Sequence, residues 1–222
     1  MQNSYKRIDA HLSSLGYCTR SEAKKFLRIY ELFVKDTRVF DPAIKAYHSD
    51  IKVNDEALDP EIITILLNKP SGFICSHNDA GSLIYALIPS RWNRRNPKIS
   101  TIGRLDVDTT GAIILTDDGA LNHKLSSPKS DVSKIYEATL AVPLNGDEKE
   151  IFASGELMLN GEKKPLLPAV LEVISETHVR LEICEGKYHQ VKRMFAAVGN
   201  RVLSLHRVSF GGFMVDDLKE GE

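Results

Sequence analysis

The sequence predicts an α+β fold in two parts, a small N-terminal unit of two helices and short strands and a larger mixed, mainly antiparallel sheet. Three observations carry this. Helical spacing and a capping pattern fall within the first thirty or so residues, and strand-like runs dominate afterwards without the strict alternation of a doubly wound parallel sheet. The third is composition: 42% hydrophobic and 27% charged residues are those of a chain that can bury a core.

The elements follow in order. Ile8, Leu12 and Leu15 recur at helical spacing, and Gly16 stops that helix by accepting positive φ without a Cβ clash. Thr19-Arg20-Ser21-Glu22 fits a capping box for a second helix running to about Tyr30, with Ala23, Phe26, Leu27 and Tyr30 as its apolar stripe. Residues 32–35, 38–40 and 50–53 read as strands parted by Asp41-Pro42 and Asn54-Asp55. The first part is therefore taken as 1–59 and the second as 60–222, where strands are predicted at 62–68, 73–76, 112–116, 135–142, 169–174, 179–184 and 202–208. Helices are predicted at 82–88, 119–126, 147–154 and 188–198.

Composition also excludes. The longest aliphatic stretch, 62–67, is broken by Thr64 and falls short of the roughly 20 residues that cross a bilayer. The N-terminus lacks an apolar run with a cleavage site, so a cytoplasmic protein with no membrane partner is expected. Cys18, Cys75 and Cys184 lie too far apart for a disulfide framework or a zinc knuckle, and His189 and His206 lack metal-ligand spacing. The formal charge of −1 argues mildly against nucleic acid, yet between Tyr5 and Arg28 six basic residues face two acids. Distribution matters more than the sum.

Three segments can carry chemistry. Residues 90–104 hold Arg91, Arg94, Arg95, Lys98 and Arg104, no acid, and the single tryptophan, Trp92. Cations around a stackable ring suit unpaired RNA; a solvated loop with Trp92 beneath it is the plainer reading. Gly103 to Gly111, GRLDVDTTG, puts Asp106 on a short loop before a buried strand, as a nucleophile or base requires, with Arg104 placed to orient it or bind phosphate; such loops also serve as turns and caps. In the third, Val191, Met194, Phe195 and Val198 make one helical face and leave Lys187, Gln190, Lys192 and Arg193 away from the core. Cations at a helix start oppose its dipole and imply an anionic partner, unless the face is merely solvated.

GRLDVDTTG with the following IILTDDG, the upstream LNKPSG (67–72), KIYEATL (134–140) and EGKYHQVKRMFAAVGN (185–200) together resemble the ribosomal pseudouridine synthases, over most of 62–213. Residues 5–59 are similar to the small RNA-binding domain of ribosomal small-subunit protein four, with Glu31 and Lys35-Asp36 where that domain has a glycine and an Asn-Gly turn. The resemblance implies a monomeric, metal-free and cofactor-free isomerase of uridine in ribosomal RNA, above all small-subunit RNA. The base leaves its N1 bond to the sugar, turns and rejoins through C5.

By that resemblance Asp106 is the catalytic aspartate and Lys192 its basic partner, making a single-point contact where many relatives have a bidentate arginine. Tyr136 stacks on the target base, which offsets part of the cost of extruding it, and is a candidate for assisting proton removal from C5. Arg104 holds the flipped nucleotide's phosphate or supports the loop, Leu205 packs on the base, and Arg91, Arg94, Arg95, Arg193 and Arg207 neutralise flanking phosphates. The alternatives are an RNA-binding assembly factor without turnover and a synthase acting on large-subunit RNA. A hydrolase pairing Asp106 with Asp108 is disfavoured, on the expectation that the two side chains point apart.

Overall fold

The computed structural model describes residues 3–127 and 130–222. Packing divides the chain into two compact units. One comprises the described residues up to Thr64 with 85–100 and 115–122; the other comprises 65–84, 101–114 and the described residues from 123 on. Residues 60–64, 85–100 and 115–122, which the sequence reading assigned to the larger part, thus pack with the smaller one.

The first unit opens with strand β1 (Tyr5–Arg7), which runs into helix α1 (Ile8–Ser14), followed by α2 (Ala23–Ile29). Ile8, Leu12 and Leu15 are buried as their spacing requires. Gly16 has φ +81°, and a Cβ there would lie 2.4 Å from the Arg91 carbonyl oxygen, so glycine is needed twice over. Only half of the predicted capping box forms: Glu22 accepts from the Thr19 amide at 3.0 Å, while the Thr19 hydroxyl donates to the same carboxylate rather than capping an amide. The helix consequently begins at Ala23.

Strands β2 (Leu32–Val34), β3 (Thr37–Arg38), β5 (Ile51–Val53) and β6 (Glu56–Ala57) form an antiparallel sheet in the order β3-β2-β5-β6, and β4 (Lys45–Tyr47) pairs with β1. That last pairing sets Tyr5 opposite Tyr47. Leu27, Leu32, Ala46, Ile51 and Val53 join the α1 residues in one apolar cluster.

The eight-stranded sheet contains β7 (Thr64–Lys69), β8 (Ser100–Ile102), β9 (Thr110–Thr116), β10 (Lys134–Leu140), β11 (Val170–Val173), β12 (His178–Ile183), β13 (Val202–Phe210) and β14 (Phe213–Met214). Its main path is β11-β12-β10-β13-β9-β7, with β8 beside β9 and β14 beside β13. The contacts along β10 are antiparallel, whereas β13 and β9 are parallel, with Arg207 opposite Gly111. The β9 residues Ala112 to Leu115 are buried on both faces, and so form an unbroken apolar run. In β10 the alternation is visible: Tyr136, Ala138 and Leu140 point into the core.

Helices α3 (Gly119–Ser126), α4 (Glu148–Ala153) and α5 (Gln190–Ala197) complete the chain. Helix α5 buries Val191, Met194 and Phe195, the last edge-on to Phe152 with centroids 5.3 Å apart. The strand expected at 73–76 is reduced to a single bridge between Ile74 and Leu83, and the helix expected at 82–88 to a 3₁₀ turn, Ile84–Leu87. Gly81, Ser82 and the Asn78-Asp79 pair favour turns over either regular element.

Candidate active site

Asp106 sits on the loop between β8 and β9, and the LNKPSG segment fixes that loop. The Lys69 ammonium, fully buried, donates to the carbonyls of Pro70, Val107 and Thr109 at 3.1, 3.3 and 2.8 Å. The Gly72 amide adds a bond of 2.8 Å to Val107. Burial pushes the Lys69 pKa down, while Cys75, Asp108 and Asp106 oppose the shift. A cation is thus spent on holding the backbone beside the acid.

Helix α5 supplies the opposing charge. The Lys192 ammonium lies 3.2 Å from an Asp106 oxygen and 2.7 Å from an Asp108 oxygen, and the His189 Nε2 lies 3.3 Å from the other Asp106 oxygen. Burial lowers the Lys192 pKa, but hydrogen bonds to Asp108 and Asp106 outweigh it and leave it raised. The Lys192 hydrogen bond in turn holds the Asp108 carboxyl below its ordinary range.

Asp106 and Asp108 therefore do not point apart. Residues two apart share a face even in extended chain, and here the Asp106 carbonyl accepts the Thr109 amide in a turn that brings both acids to one ammonium. His189 itself adopts φ +47° and caps α5, so the helix starts at Gln190 and not at 188. Gln190, expected to face outward, is buried: it accepts from the Lys187 amide at 2.8 Å and donates to Glu185 at 3.1 Å.

The acid opens onto a cavity of about 430 Å³ whose lining includes Arg104, Asp106, Tyr136, Lys192, Leu205 and Arg207. The side chains of Asp106 and Lys192 keep 27% and 28% exposure, enough to be reached, whereas Tyr136 and Leu205 are buried in the wall. Arg207 does not face outward toward flanking phosphates. Its Nε donates to the Ala112 carbonyl at 2.6 Å and its Nη1 to the Tyr136 hydroxyl at 3.4 Å, and the Phe210 ring lies 4.9 Å from its centre. Gly111 permits this: with φ +104°, it lies where a Cβ would come within 2.2 Å of the Arg207 carbonyl oxygen.

The other arginines divide. Arg91 pairs with Asp59 and lies 4.0 Å over the Tyr17 ring, while the Trp92 indole donates to the same carboxylate at 2.8 Å. Arg95 is buried against Asp117 at 2.8 Å and bonds the Pro60 and Glu61 carbonyls. Arg193 binds Glu162, the Tyr188 carbonyl and the Asn160 carbonyl. Arg91, Arg95 and Arg193 thus each have internal partners that their reading as phosphate contacts did not include, and of the three only Arg95 is buried. Arg94 and Arg104 are exposed.

Sequence reasoning assigned no role to Lys69, His189 or Lys134. Lys134 lines the cavity, and its pKa is lowered by burial and by Arg207. The signals were present in LNKPSG, KYHQ and KIYEATL, but each lysine alone reads as a solvated charge.

The profile for RNA pseudouridylate synthase matches residues 63–197. The chain belongs to this family and is an RNA-modifying isomerase. It is 49% identical over 161 residues to ribosomal small subunit pseudouridine synthase A of Escherichia coli K12, covering 71% of this chain and 67% of the relative. It is 41% identical to the protein of that name from Pasteurella multocida, covering 97% of this chain and 94% of the relative. A crystal structure of a pseudouridylate synthase superimposes with TM-score 0.68 at 40% identity, over 98% of this chain and 94% of that one.

Proposed function

We propose that this enzyme converts a uridine of small-subunit ribosomal RNA to pseudouridine, with Asp106 as its catalytic carboxylate. The observation that carries the reading is the Asp106–Lys192 ion pair at a cavity walled by Tyr136 and Leu205. The C1′–N1 bond breaks, the base turns, a C1′–C5 bond forms, the C5 proton leaves and N1 gains one, so the nucleoside is isomerised without a co-reactant. Asp106 initiates that exchange, with the Lys192 ammonium 3.2 Å from its carboxylate beside an extruded nucleoside. Tyr136 offers its ring to the base, Leu205 closes the other face, and Arg104 takes the phosphate.

The names of the relatives support the small-subunit target. Residues 3–59 form the RNA-binding part in this reading, with exposed Arg20, Lys24, Lys25 and Arg28, and Arg94 adds to the cationic surface.

The test uses an unmodified small-subunit transcript labelled with tritium at uridine C5, which is released only when C5 is joined to the sugar. Wild type is expected to release tritium and Asp106→Ala none. Lys192→Gln, which removes one member of a hydrogen-bonded charge pair costing about 2–5 kcal/mol to break, is expected to slow single turnover about 30-fold or more at nearly unchanged RNA affinity. Undiminished turnover by Asp106→Ala overturns the assignment. Binding without turnover by wild type favours the assembly factor, and turnover confined to large-subunit transcripts moves the target.

A further inference from the structure

The cavity beside Asp106 contains two buried polar groups that no described residue satisfies. Among the described residues Arg207 Nη2 and Thr109 Oγ1 find no hydrogen-bond partner, their residues are 2% and 1% exposed, and both line the cavity. Folded proteins pair nearly all such atoms, so an orphaned donor on a buried cation calls for an acceptor from outside. The rest of the guanidinium is fixed: Nε by the Ala112 carbonyl, Nη1 by the Tyr136 hydroxyl, one face by Phe210. These contacts are all neutral, and they hold the fork at the hydroxyl edge of the Tyr136 ring, its centre 5.9 Å from that ring's centroid.

We propose that Arg207 reads the target base, Nη2 donating a hydrogen bond to a carbonyl oxygen of the uracil that lies on Tyr136. The inference rests on the cavity holding an extruded uridine, as argued above. Phosphate and base both offer acceptor oxygens, but the donor is buried, on a guanidinium whose centre lies 4.9 Å from the Phe210 ring and 5.9 Å from the Tyr136 ring. A flat, neutral base edge reaches such a position with far less loss of hydration than a phosphate does. Uracil presents two carbonyl acceptors. Cytosine replaces one of them with an amino donor, which a fixed donor repels. Thr109, two residues before the Gly111 that pairs with Arg207, offers a hydroxyl able to donate or accept to a second group on the base.

The experiment compares wild type, Arg207→Lys and Arg207→Gln on small-subunit transcripts made with 5-tritiated uridine, 2-thiouridine or 4-thiouridine, sulfur being the poorer acceptor. Single-turnover tritium release at saturating enzyme, RNA affinity and its salt dependence, and thermal melting are measured together. One thio position is expected to slow wild type about tenfold or more. Both variants are expected to lose about ten- to a hundredfold in rate on the uridine transcript at unchanged affinity, the range for a hydrogen bond to a charged donor. The thio penalty should shrink below about threefold in the variants, because the atom that senses it is gone.

Weaker affinity and a shallower salt slope with rate at saturation intact would make Arg207 a phosphate contact and overturn the proposal. Parallel loss on every transcript, with the thio penalty retained, would make it purely structural and also overturn it. Should the variants fail to fold, wild type still decides, since indifference to both sulfur positions excludes a carbonyl contact. A wild type inactive on the uridine transcript brings down the parent reading and this one together; an active wild type without the coupling brings down only this one.

Discussion

Replacing Arg95 with methionine separates a structural arginine from an RNA-binding one. The Arg95 and Asp117 side chains are 1% and 3% exposed, and their bond is 2.8 Å long. Arg95 also satisfies the Pro60 and Glu61 carbonyls at 2.8 and 3.0 Å, and Asp117 keeps a second partner, the Ile63 amide at 2.7 Å. Methionine preserves most of the buried stem but leaves a carboxylate without its cation and two carbonyls without a donor. Removing one member of a buried pair costs about 3–5 kcal/mol. Because the Ile63 amide still serves Asp117, the loss belongs in the lower part of that range, about 3–4 kcal/mol. At about 2–4 °C per kcal/mol for a chain of this size, the melting temperature falls by about 6–16 °C.

Urea unfolding followed by circular dichroism measures the change, with exposed Arg94→Ala as a control expected to stay within about 0.5 kcal/mol. In Arg95→Met combined with Asp117→Leu, part of the stability returns because no unpaired charge is left. If Arg95→Met melts like wild type while its RNA affinity drops, the pair is not holding the fold and the reasoning fails.

Glu61 governs a second measurable property. Burial raises its carboxyl pKa, but hydrogen bonds from the Ser4 hydroxyl and amide, and from Lys6, outweigh this and bring it to about 2. The folded value lies below the unfolded one, so its stabilisation is full above about pH 4.5 and is lost as pH falls toward about 2. Acid titration of the unfolding free energy should show about 3 kcal/mol disappearing in that window, and Glu61→Gln should flatten it; an unchanged profile contradicts the assignment. Gly111→Ala should cost about 2 kcal/mol or more and abolish most turnover, since its Cβ meets Arg207 backbone at 2.2 Å where φ is already +104°. A fully active, stable variant would show that β9 and β13 can part there.

Much of the sheet could be read from periodicity. Alternation in 134–140 and the apolar run Ala112 to Leu115 are local patterns that tertiary contacts reinforce. The pairing of β1 with β4 is different in kind: residues 5–7 and 45–47 have no local strand signature and are defined by each other. The basic run 91–95 misled for a related reason. Arg91 and Arg95 find their acids at Asp59 and Asp117, far away in sequence, and a count of local charge cannot tell a solvated cation from one with a distant partner. Asp106 and Lys192 could be paired through family likeness alone, since 86 residues separate them. Asp106 and Asp108 were expected to point apart, yet residues two apart share a face even in extended chain, and the Asp106–Thr109 turn brings both acids to one ammonium.

Helix α5 has a consequence for how this catalyst can change. Consecutive residues on a helix project about 100° apart, and Lys192 and Arg193 use that divergence to grip different segments: the acid-bearing loop on one side, Asn160 and Glu162 on the other. The second segment continues into Lys164 and Pro165, which also border the cavity. Two turns of helix therefore act as a brace across the mouth, and its span is written in the tilt of that brace. A tilt of this short helix would therefore move the charge beside Asp106 and the cavity's aperture together.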